Sequence, residues 1–248
     1  MKIEINLKKK KTRMNIPRLK QSKLHEALSL LDNEFTDPKI SLEQYPTDIL
    51  TTAELIHLIE SEHGDIEGKM VADLGCGVGV LTIGAALLGA SYVLGIDIDK
   101  DALDVCQENI EIYDLETIDL LQLDISKVRS QVEDDGSETE TDYAVKCCSD
   151  LQKFDKCFDT VLTNPPFGTK WNEGIDMIFL QTALAMSKNS VYSFHKTSTR
   201  QYISQKAKQW NVEMKVLGEI RFLIPQIYKM HKKKSVDVEV DFVRFYHQ

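Results

Sequence analysis

The sequence predicts an α/β fold in which a mostly parallel, seven-stranded sheet ends in a C-terminal antiparallel hairpin. Short apolar runs typical of buried strands alternate with apolar-periodic stretches typical of helices, and this alternation indicates βαβ units. A glycine-rich segment directly follows the first predicted strand. The last predicted strand instead alternates Val and Phe with acidic residues, a pattern typical of a half-buried antiparallel strand.

The elements are predicted from residue periodicity, in chain order. Strands are predicted over residues 69–74, 91–96, 118–123, 158–163, 190–194, 212–224 and 235–246. Helices are predicted over residues 24–31, 49–59, 80–89, 100–113, 175–187 and 198–210. We expect a basic, partly flexible N-terminal extension over residues 1–40 and a single domain over residues 41–248. Residues 131–143 hold six acidic and no basic residues, so an acidic insertion loop is predicted near residues 127–157.

The composition limits the classes of function. The chain has 248 residues, 42% of them hydrophobic, which is enough for a sizeable core. A net charge of −9 argues against a generally basic nucleic-acid binder. Residues 1–23 nevertheless carry nine Lys or Arg against one acid, and a second basic cluster lies near residues 229–234. Each is either a patch that meets phosphates or a solvated tail or loop.

Two further features argue against other classes. Five cysteines form no CxxC pair and follow no apparent signal peptide, so we expect a reducing compartment and no intrinsic zinc site. Residues 74–96 carry no charge over 23 positions, which is long enough to span a membrane. They contain six glycines and are flanked by Asp73 and Asp97, so a turn, a short helix and a strand explain them better.

The glycine turn after the first strand indicates a nucleotide-like cofactor. It reads Asp73-Leu74-Gly75-Cys76-Gly77-Val78-Gly79, and glycines allow a tight turn and a close approach of the backbone to a ligand. The third glycine comes one position earlier than in the dinucleotide pattern. A carboxylate at Asp73 would repel a pyrophosphate but attract a sulfonium and an ammonium group. The pattern therefore favours S-adenosylmethionine over NAD.

Two more carboxylates fit the same cofactor. Asp97 ends the second predicted strand, 22 residues after Gly75, where a carboxylate can accept hydrogen bonds from both ribose hydroxyls. Asp124 follows the third strand, in a position to face the adenine amine. Glycine turns alone also occur in folds without a cofactor, so the prediction rests on the whole set.

The fourth predicted strand runs into Asn164-Pro165-Pro166-Phe167. The side-chain oxygen of Asn164 and the carbonyl of Pro165 can hold both protons of a planar NH2 group, because the prolines fix the turn. Phe167 can stack on a heteroaromatic base or a flat amide. Such a site would aim the weakly nucleophilic amine of a flipped-out or single-stranded adenine at a sulfonium methyl group without a strong base. The alternative is an ordinary turn after a strand.

Longer motifs carry a resemblance to known enzymes. GCGVG, GIDID and NPPFGTK together resemble the class I amino-methyltransferases, which have a Rossmann-like sheet of order 3-2-1-4-5-7-6. LEQYPT (42–47), VADLGCGVGVLTIG (71–84), NPPFGTK (164–170), YSFHKTSTR (192–200) and HKKKSVDVEVD (231–241) resemble more narrowly the methyltransferase-like protein 5 family. The resemblance implies methylation of N6 of an adenosine in small-subunit (18S) ribosomal RNA, with S-adenosylmethionine as cofactor, in the cytoplasm and the nucleus or nucleolus.

The resemblance also implies site residues. Gln44 and Thr47, which by themselves indicate only a turn and a helix cap, are expected to close over the methionine end of the cofactor. The other residues expected to complete the pocket are Asp73, Gly75, Cys76, Gly77, Asp97, Ile98, Asp124, Ile125 and Asn164. His195 and Lys196 are candidates for RNA contact or ordinary surface residues, and phosphate contacts are expected from Lys232, Lys233 and Lys234. His231 has no partners that would make it a metal ligand.

A partner is expected at the sheet edge. Residues 118–123 are nearly continuously apolar, and the third strand is an edge strand in the class I order. The resemblance implies a heterodimer with a small zinc-binding activator subunit, contacting residues 91–96 and 118–123. The alternative is that the acidic insertion covers this edge.

Two other functions remain open. A protein-glutamine N5 methyltransferase would also use NPP followed by an aromatic residue, but residues 1–40 are too short and too basic for the larger helical domain of that class. A catalytically idle RNA-binding or ribosome assembly factor could keep the fold. The intact Asp73, Asp97 and NPPF motif argue against it.

Overall fold

The computed structural model describes residues 19–45, 47–127, 151–168, 172–225 and 235–247. The strands are β1 (Met70–Leu74), β2 (Tyr92–Asp97), β3 (Ile118–Gln122), β4 (Phe158–Thr163), β5 (Ser187–Lys196), β6 (Glu213–Pro225) and β7 (Ser235–Tyr246). They form one sheet of order β3-β2-β1-β4-β5-β7-β6. Strands β1 to β5 are parallel, and β7 is antiparallel to both β5 and β6. The predicted fold class and strand order are confirmed.

Helices cover both faces of the sheet. They are α1 (Gln21–Leu28), α2 (Ile49–Leu58), α3 (Val80–Leu87), α4 (Lys100–Glu111), α5 (Ile175–Met186) and α6 (Arg200–Gln209). Side chains of α1 to α4 form one apolar cluster, which also contains Val71 of β1. Side chains of α5 and α6 form a second cluster with Ala72 and Leu74. Because neighbouring residues of a strand point to opposite faces, β1 is buried on both sides.

The N-terminal boundary differs from the prediction. Leu24 and Leu28 of α1 are fully buried in the first cluster, and α1 packs on α2 and α3. Residues 19–40 are therefore part of the domain rather than a separate extension. The lysine-rich residues 1–18 and residues 128–150 of the predicted acidic insertion lie outside the described residues.

Strand β5 is longer than predicted because pairing, and not composition, sets its ends. Ser187 pairs with Phe158 of β4, and β7 pairs with β5 as far as Lys196. The polar residues at both ends of β5 gave no strand pattern. Residues Thr197–Thr199 then form a 3-10 turn, so α6 begins at Arg200.

The sheet places the loops that matter for function side by side. The carboxyl ends of β3, β2, β1 and β4 are neighbours in the sheet, and the strand order reverses between β1 and β4. In open α/β sheets ligands bind at this switch point. The uncharged residues 74–96 form the end of β1, α3 and most of β2, and none of the described helices is long and apolar enough to cross a bilayer.

Candidate active site

A cavity lies at the carboxyl ends of these four strands. Its walls come from the glycine turn, the loops after β2, β3 and β4, the start of α5 and a segment that precedes α2. We call that segment, residues 39–45 with Thr47, the strap. The predicted site residues that line the cavity are Gln44, Thr47, Gly75, Cys76, Gly77, Asp97, Ile98, Asp124, Ile125, Asn164, Pro165 and Pro166.

The glycine turn has the conformation that its sequence requires. Gly75, Gly77 and Gly79 have φ values of 71°, 54° and 89°, in the left-handed region that favours glycine. A Cβ atom on Gly79 would lie 2.2 Å from Sγ of Cys106, and one on Gly77 would lie 3.1 Å from the ring of Phe35. Positive φ and close packing therefore both select glycine at this turn.

Asp97 is anchored to the turn. Its carboxylate accepts hydrogen bonds from the backbone N–H groups of Gly77 (2.8 Å) and Asp99 (2.9 Å). Burial raises its pKa, and these backbone hydrogen bonds oppose the rise. Each carboxylate oxygen can accept a second hydrogen bond, so Asp97 keeps capacity for ribose hydroxyls.

Asp73 has a different position from the one predicted. It is fully buried and does not line the cavity; its Oδ2 accepts a hydrogen bond from the Thr82 hydroxyl (2.7 Å). Burial raises its pKa to about 7. Asp73 shares a face of β1 with Val71 and points towards α3, behind the glycine turn, and its Oδ1 has no hydrogen-bond partner among the described residues.

The strap is fastened to the loop after β2. Gln44 donates from Nε2 to Oδ2 of Asp99 (2.7 Å), and its Oε1 accepts from the backbone N–H of Lys39 (2.8 Å). The Lys39 ammonium also pairs with Asp99 and with Asp101 (2.7 Å). Burial acts to raise the pKa of Asp99, but the hydrogen bonds from Gln44 and Lys39 outweigh it and hold the pKa below its usual value. Gln44 thus holds the strap against the loop after β2 through its hydrogen bond to Asp99.

Asn164 carries the most informative geometry of the site. Its Nδ2 donates to the Thr47 hydroxyl (3.1 Å), which ties the end of β4 to the strap. Its Oδ1 is buried and has no hydrogen-bond partner among the described residues. Buried acceptors are rarely left unpaired in folded proteins, so this oxygen indicates a position for a donor group of a ligand.

The ring of Phe167 was predicted to be available for stacking, but it does not line the cavity. It is 6% exposed, and the ring of Tyr45 is stacked on it, with centroids 5.8 Å apart and an interplanar angle of 23°. Tyr45 lines the cavity, whereas Phe167 does not. Sequence reasoning missed Tyr45, although it lies beside Gln44 in the LEQYPT motif. Of these two rings, that of Tyr45 is therefore the one in the cavity wall.

The expected RNA contacts have different outcomes. His195 is 1% exposed and packs edge-on against Phe245, with Nδ1 3.7 Å from the Asp176 carboxylate. His195 lies on the face of β5 that packs against α5, which carries Asp176. A direct contact between His195 and RNA does not fit this burial. Lys196 is half-buried at the end of β5. Lys232, Lys233 and Lys234 lie outside the described residues.

The cavity suits a cationic nucleoside. Among its described lining residues are three carboxylates, from Glu43, Asp97 and Asp124, and no Lys or Arg. A sulfonium and an ammonium group are favoured by that charge, and Oδ1 of Asn164 is a buried acceptor without a partner in the described part of the chain. The described residues contain no cluster of His, Cys, Asp and Glu that could hold a metal ion. The fold and this site define a class I methyltransferase that uses S-adenosylmethionine.

Comparison with known proteins identifies the family. The chain is 48% identical to the rRNA N(6)-adenosine-methyltransferase METTL5 of Danio rerio, over 92% of this chain and 99% of the relative. It is 46% identical to the enzyme of the same name in Drosophila melanogaster, over 92% and 97%. The crystal structure of Pyrococcus horikoshii PH1948, assigned as an RNA methyltransferase, superposes with a TM-score of 0.70 at 33% identity, covering 92% of this chain and 96% of that one. The chain belongs to the METTL5 family of S-adenosylmethionine-dependent RNA adenine-N6 methyltransferases.

A family model matches part of the chain. The model of ribosomal protein L11 methyltransferase (PrmA) matches residues 49–143. That range contains the glycine turn, Asp97 and Asp124 but ends before Asn164. The match therefore reflects the cofactor-binding half of the fold, which methyltransferases of RNA and of protein share.

Proposed function

We propose that this chain methylates N6 of an adenosine in small-subunit (18S) ribosomal RNA, as the catalytic subunit of a heterodimer. The observation that carries the proposed chemistry is the buried Oδ1 of Asn164 in the cavity wall, which has no hydrogen-bond partner among the residues that the structure describes. The substrate class follows from membership of the METTL5 family. The choice of the small subunit rests on the resemblance of the longer motifs.

The geometry suggests how Asn164 acts. Its Oδ1 and the carbonyl of Pro165 would accept the two protons of the adenine amine, which localises the nitrogen lone pair. Thr47 holds the amide of Asn164 through its Nδ2, so the acceptor is already oriented. Bound S-adenosylmethionine would supply the electrophilic methyl group, and Asn164 and Pro165 would hold the amine in line with it, so that the N–C bond would form as the C–S bond breaks and the amine proton would then be lost to solvent. Positioning and electrostatics then provide the rate enhancement.

The alternatives are less well supported. A protein-glutamine N5 methyltransferase would use the same turn, but the relatives that match over 92% of this chain are rRNA N(6)-adenosine-methyltransferases. An idle assembly factor has no need of an oriented, unpaired acceptor, which costs free energy when it is buried.

A transfer assay separates these functions. The purified chain is incubated with methyl-labelled S-adenosylmethionine and either total RNA or a release-factor peptide, and labelled RNA is mapped by nucleotide. We expect label at an adenosine N6 of small-subunit RNA. Label only in the peptide would contradict the RNA substrate, and label in neither, with and without an activator subunit, would support the idle scaffold.

The partner is proposed to bind strand β3. Strand β2 is paired on both sides, so of the two predicted contact ranges only residues 118–123 offer an open strand edge in the described part of the chain. The N–H of Val93 donates to Thr117, and that of Leu123 donates to Asp97. Since backbone groups alternate along a strand, those of Ile118, Leu120 and Gln122 face outward. A small zinc-binding activator subunit could add a strand there.

A matched pair of variants tests this edge. Gln122 has an exposed side chain, so Gln122→Pro removes one outward N–H group without disturbing the core, while Gln122→Ala keeps that group. We expect the proline variant, but not the alanine variant, to lose co-purification with the activator subunit and to elute as a monomer. Equal heterodimer formation by both variants would contradict strand addition at β3.

A further inference from the structure

A second amide in the cavity wall resembles Asn164. The Oδ1 of Asn33 is also buried and without a hydrogen-bond partner in the described ranges, and Asn33 also lines the cavity. Both amides are held by Thr47: Asn164 donates to its hydroxyl (3.1 Å) and Asn33 to its backbone carbonyl (2.8 Å). The sequence pattern gave no reason to single out Asn33.

The chemistry of this contact fixes the orientation of Asn33. A carbonyl oxygen can only accept a hydrogen bond, so the amide nitrogen of Asn33 must face Thr47. The Oδ1 atom then points away from Thr47, and turning the amide over would place two oxygens against each other. The unpaired acceptor is therefore a property of the fold and not of an arbitrary assignment of the amide.

The segment that carries Asn33 is fastened to the glycine turn. Asn109 is 1% exposed; its amide donates to the carbonyls of Asp32 (2.8 Å) and Val78 (3.0 Å) and accepts from the N–H of Asp32 (2.8 Å). The ring of Phe35 lies 3.1 Å from the place where a Cβ atom of Gly77 would be. Residues 32–35 thus pack on the turn after β1, whereas Asp124 follows β3, two strands away.

We propose that Oδ1 of Asn33 accepts a hydrogen bond from the α-ammonium group of the cofactor's methionine part. S-adenosylmethionine carries three kinds of donor: the ribose hydroxyls, the adenine amine and the ammonium group. Asp97 and Asp124 stand at the strand ends expected for the first two, and the ammonium is the donor left for an acceptor beside the glycine turn. Its hydrogen bond removes the cost of a buried, unpaired oxygen. This role rests on the cofactor and is independent of the RNA substrate.

Two ligands that differ by one amine test the role of Asn33. S-adenosylhomocysteine carries the ammonium group, and 5′-S-(3-carboxypropyl)-5′-thioadenosine is the same molecule without it. Dissociation constants are measured by calorimetry for the whole chain and its variants, without RNA. Because a hydrogen bond to a charged group is lost, Asn33→Ala should weaken S-adenosylhomocysteine about tenfold to a hundredfold and the amine-free analogue by no more than about twofold.

Two further variants make the test decisive. Asn172→Ala is the matched control, because the Asn172 amide also lines the cavity and also donates to the strap, at the Ser41 carbonyl (2.7 Å). It should weaken both ligands by similar factors. Asn33→Asp loses the donor to the Thr47 carbonyl but keeps an acceptor and adds a charge that attracts the ammonium, so both ligands should bind more weakly while the preference for the amine-bearing ligand is retained or increased, even if Asn33→Ala is poorly folded. Equal losses for both ligands in Asn33→Ala, or a reduced preference in Asn33→Asp, would overturn the proposal, whatever the RNA assay shows.

Discussion

We call the glycine turn with Asn33, Asp97 and Gln44 the cofactor half of the cavity, and residues 164–167 with Tyr45 the base half; the two differ in how their side chains are held. In the cofactor half, both oxygens of Asp97 accept backbone hydrogen bonds, and Gln44 uses both ends of its amide to fasten the strap. In the base half, the ring of Phe167 is covered by Tyr45, whereas each half holds one buried amide oxygen, of Asn33 or of Asn164, without a hydrogen-bond partner among the described residues.

This difference indicates a division of work. A preformed cofactor half loses little conformational entropy when the cofactor binds. The base half would have to rearrange when a base binds on Phe167, because the ring of Tyr45 occupies that face of Phe167. We therefore expect substitutions in the cofactor half to change stability and cofactor affinity, and those in the base half to change catalysis with RNA.

The largest expected effect is that of Asn164→Ala. Removal of the acceptor should lower kcat with RNA at least about 100-fold, as loss of one preorganised catalytic hydrogen-bonding group does. The affinity for S-adenosylhomocysteine should change much less, because the glycine turn and Asp97 are untouched. Asn164→Asp keeps an acceptor oxygen and should retain more activity than Asn164→Ala. Single-turnover rates and calorimetry measure the two effects, and unchanged activity in Asn164→Ala would refute the assignment.

Gly79→Ala breaks the cofactor half. The added Cβ atom meets Sγ of Cys106 at 2.2 Å, and alanine is strained at a φ of 89°. Strain and overpacking together should lower the free energy of unfolding by about 2–5 kcal/mol and weaken cofactor binding. Denaturant unfolding gives the stability, and calorimetry gives the affinity.

Two controls separate the clash from the strain. Gly174 has a φ of 83° with nothing within 4 Å of the added atom, so Gly174→Ala should show the strain alone. Adding Cys106→Ala to Gly79→Ala removes the clashing sulfur and should recover part of the lost stability. No recovery in the double variant would show that the contact with Cys106 is not the cause.

The sequence and the structure agree best where chemistry depends on neighbours along the chain. The glycine turn, Asp97 and Asn164 were predicted because strand ends and turn residues have local signatures. The burial of Phe167 and His195 was not, because it depends on Tyr45 and on α5, which are distant in sequence. The unpaired oxygen of Asn33 could not be predicted from the sequence, because no sequence pattern shows that its amide donates to the carbonyl of Thr47, 14 residues away. Asp73 was predicted to attract the cofactor, and the structure adds a contact that the sequence did not indicate, the hydrogen bond from Thr82.

Tyr45→Ala tests the base half. If Tyr45 stacks on the target base, the variant should lower kcat/KM for RNA about tenfold to a hundredfold, the effect of losing one stacked base. The affinity for S-adenosylhomocysteine should change less, and Tyr45→Phe, which keeps the ring, should be close to the parent. A fall in cofactor affinity as large as the fall in kcat/KM would mean that Tyr45 only packs the strap.

The last expected effect is the pH dependence that Asp73 gives to stability. Burial raises its pKa to about 7 in the folded chain, against about 3.9 for an unperturbed Asp in the unfolded chain. Between these values the folded chain keeps a proton that the unfolded chain has lost, so this contribution to stability is complete below pH 4 and is lost as the pH rises through about 7. Asp73→Asn keeps an acceptor for Thr82 without titrating. The difference between its free energy of unfolding and that of the parent should therefore shift in favour of the variant between pH 5 and pH 8, as urea unfolding would measure.

Thr82→Val removes a hydrogen bond that favours the ionised carboxylate of Asp73. This variant should therefore move the pH at which stability is lost to a higher value than in the parent. Parallel stability curves for the parent and Asp73→Asn would show that Asp73 stays ionised behind the glycine turn, and the cofactor half would then hold a buried charge that the described contacts do not balance.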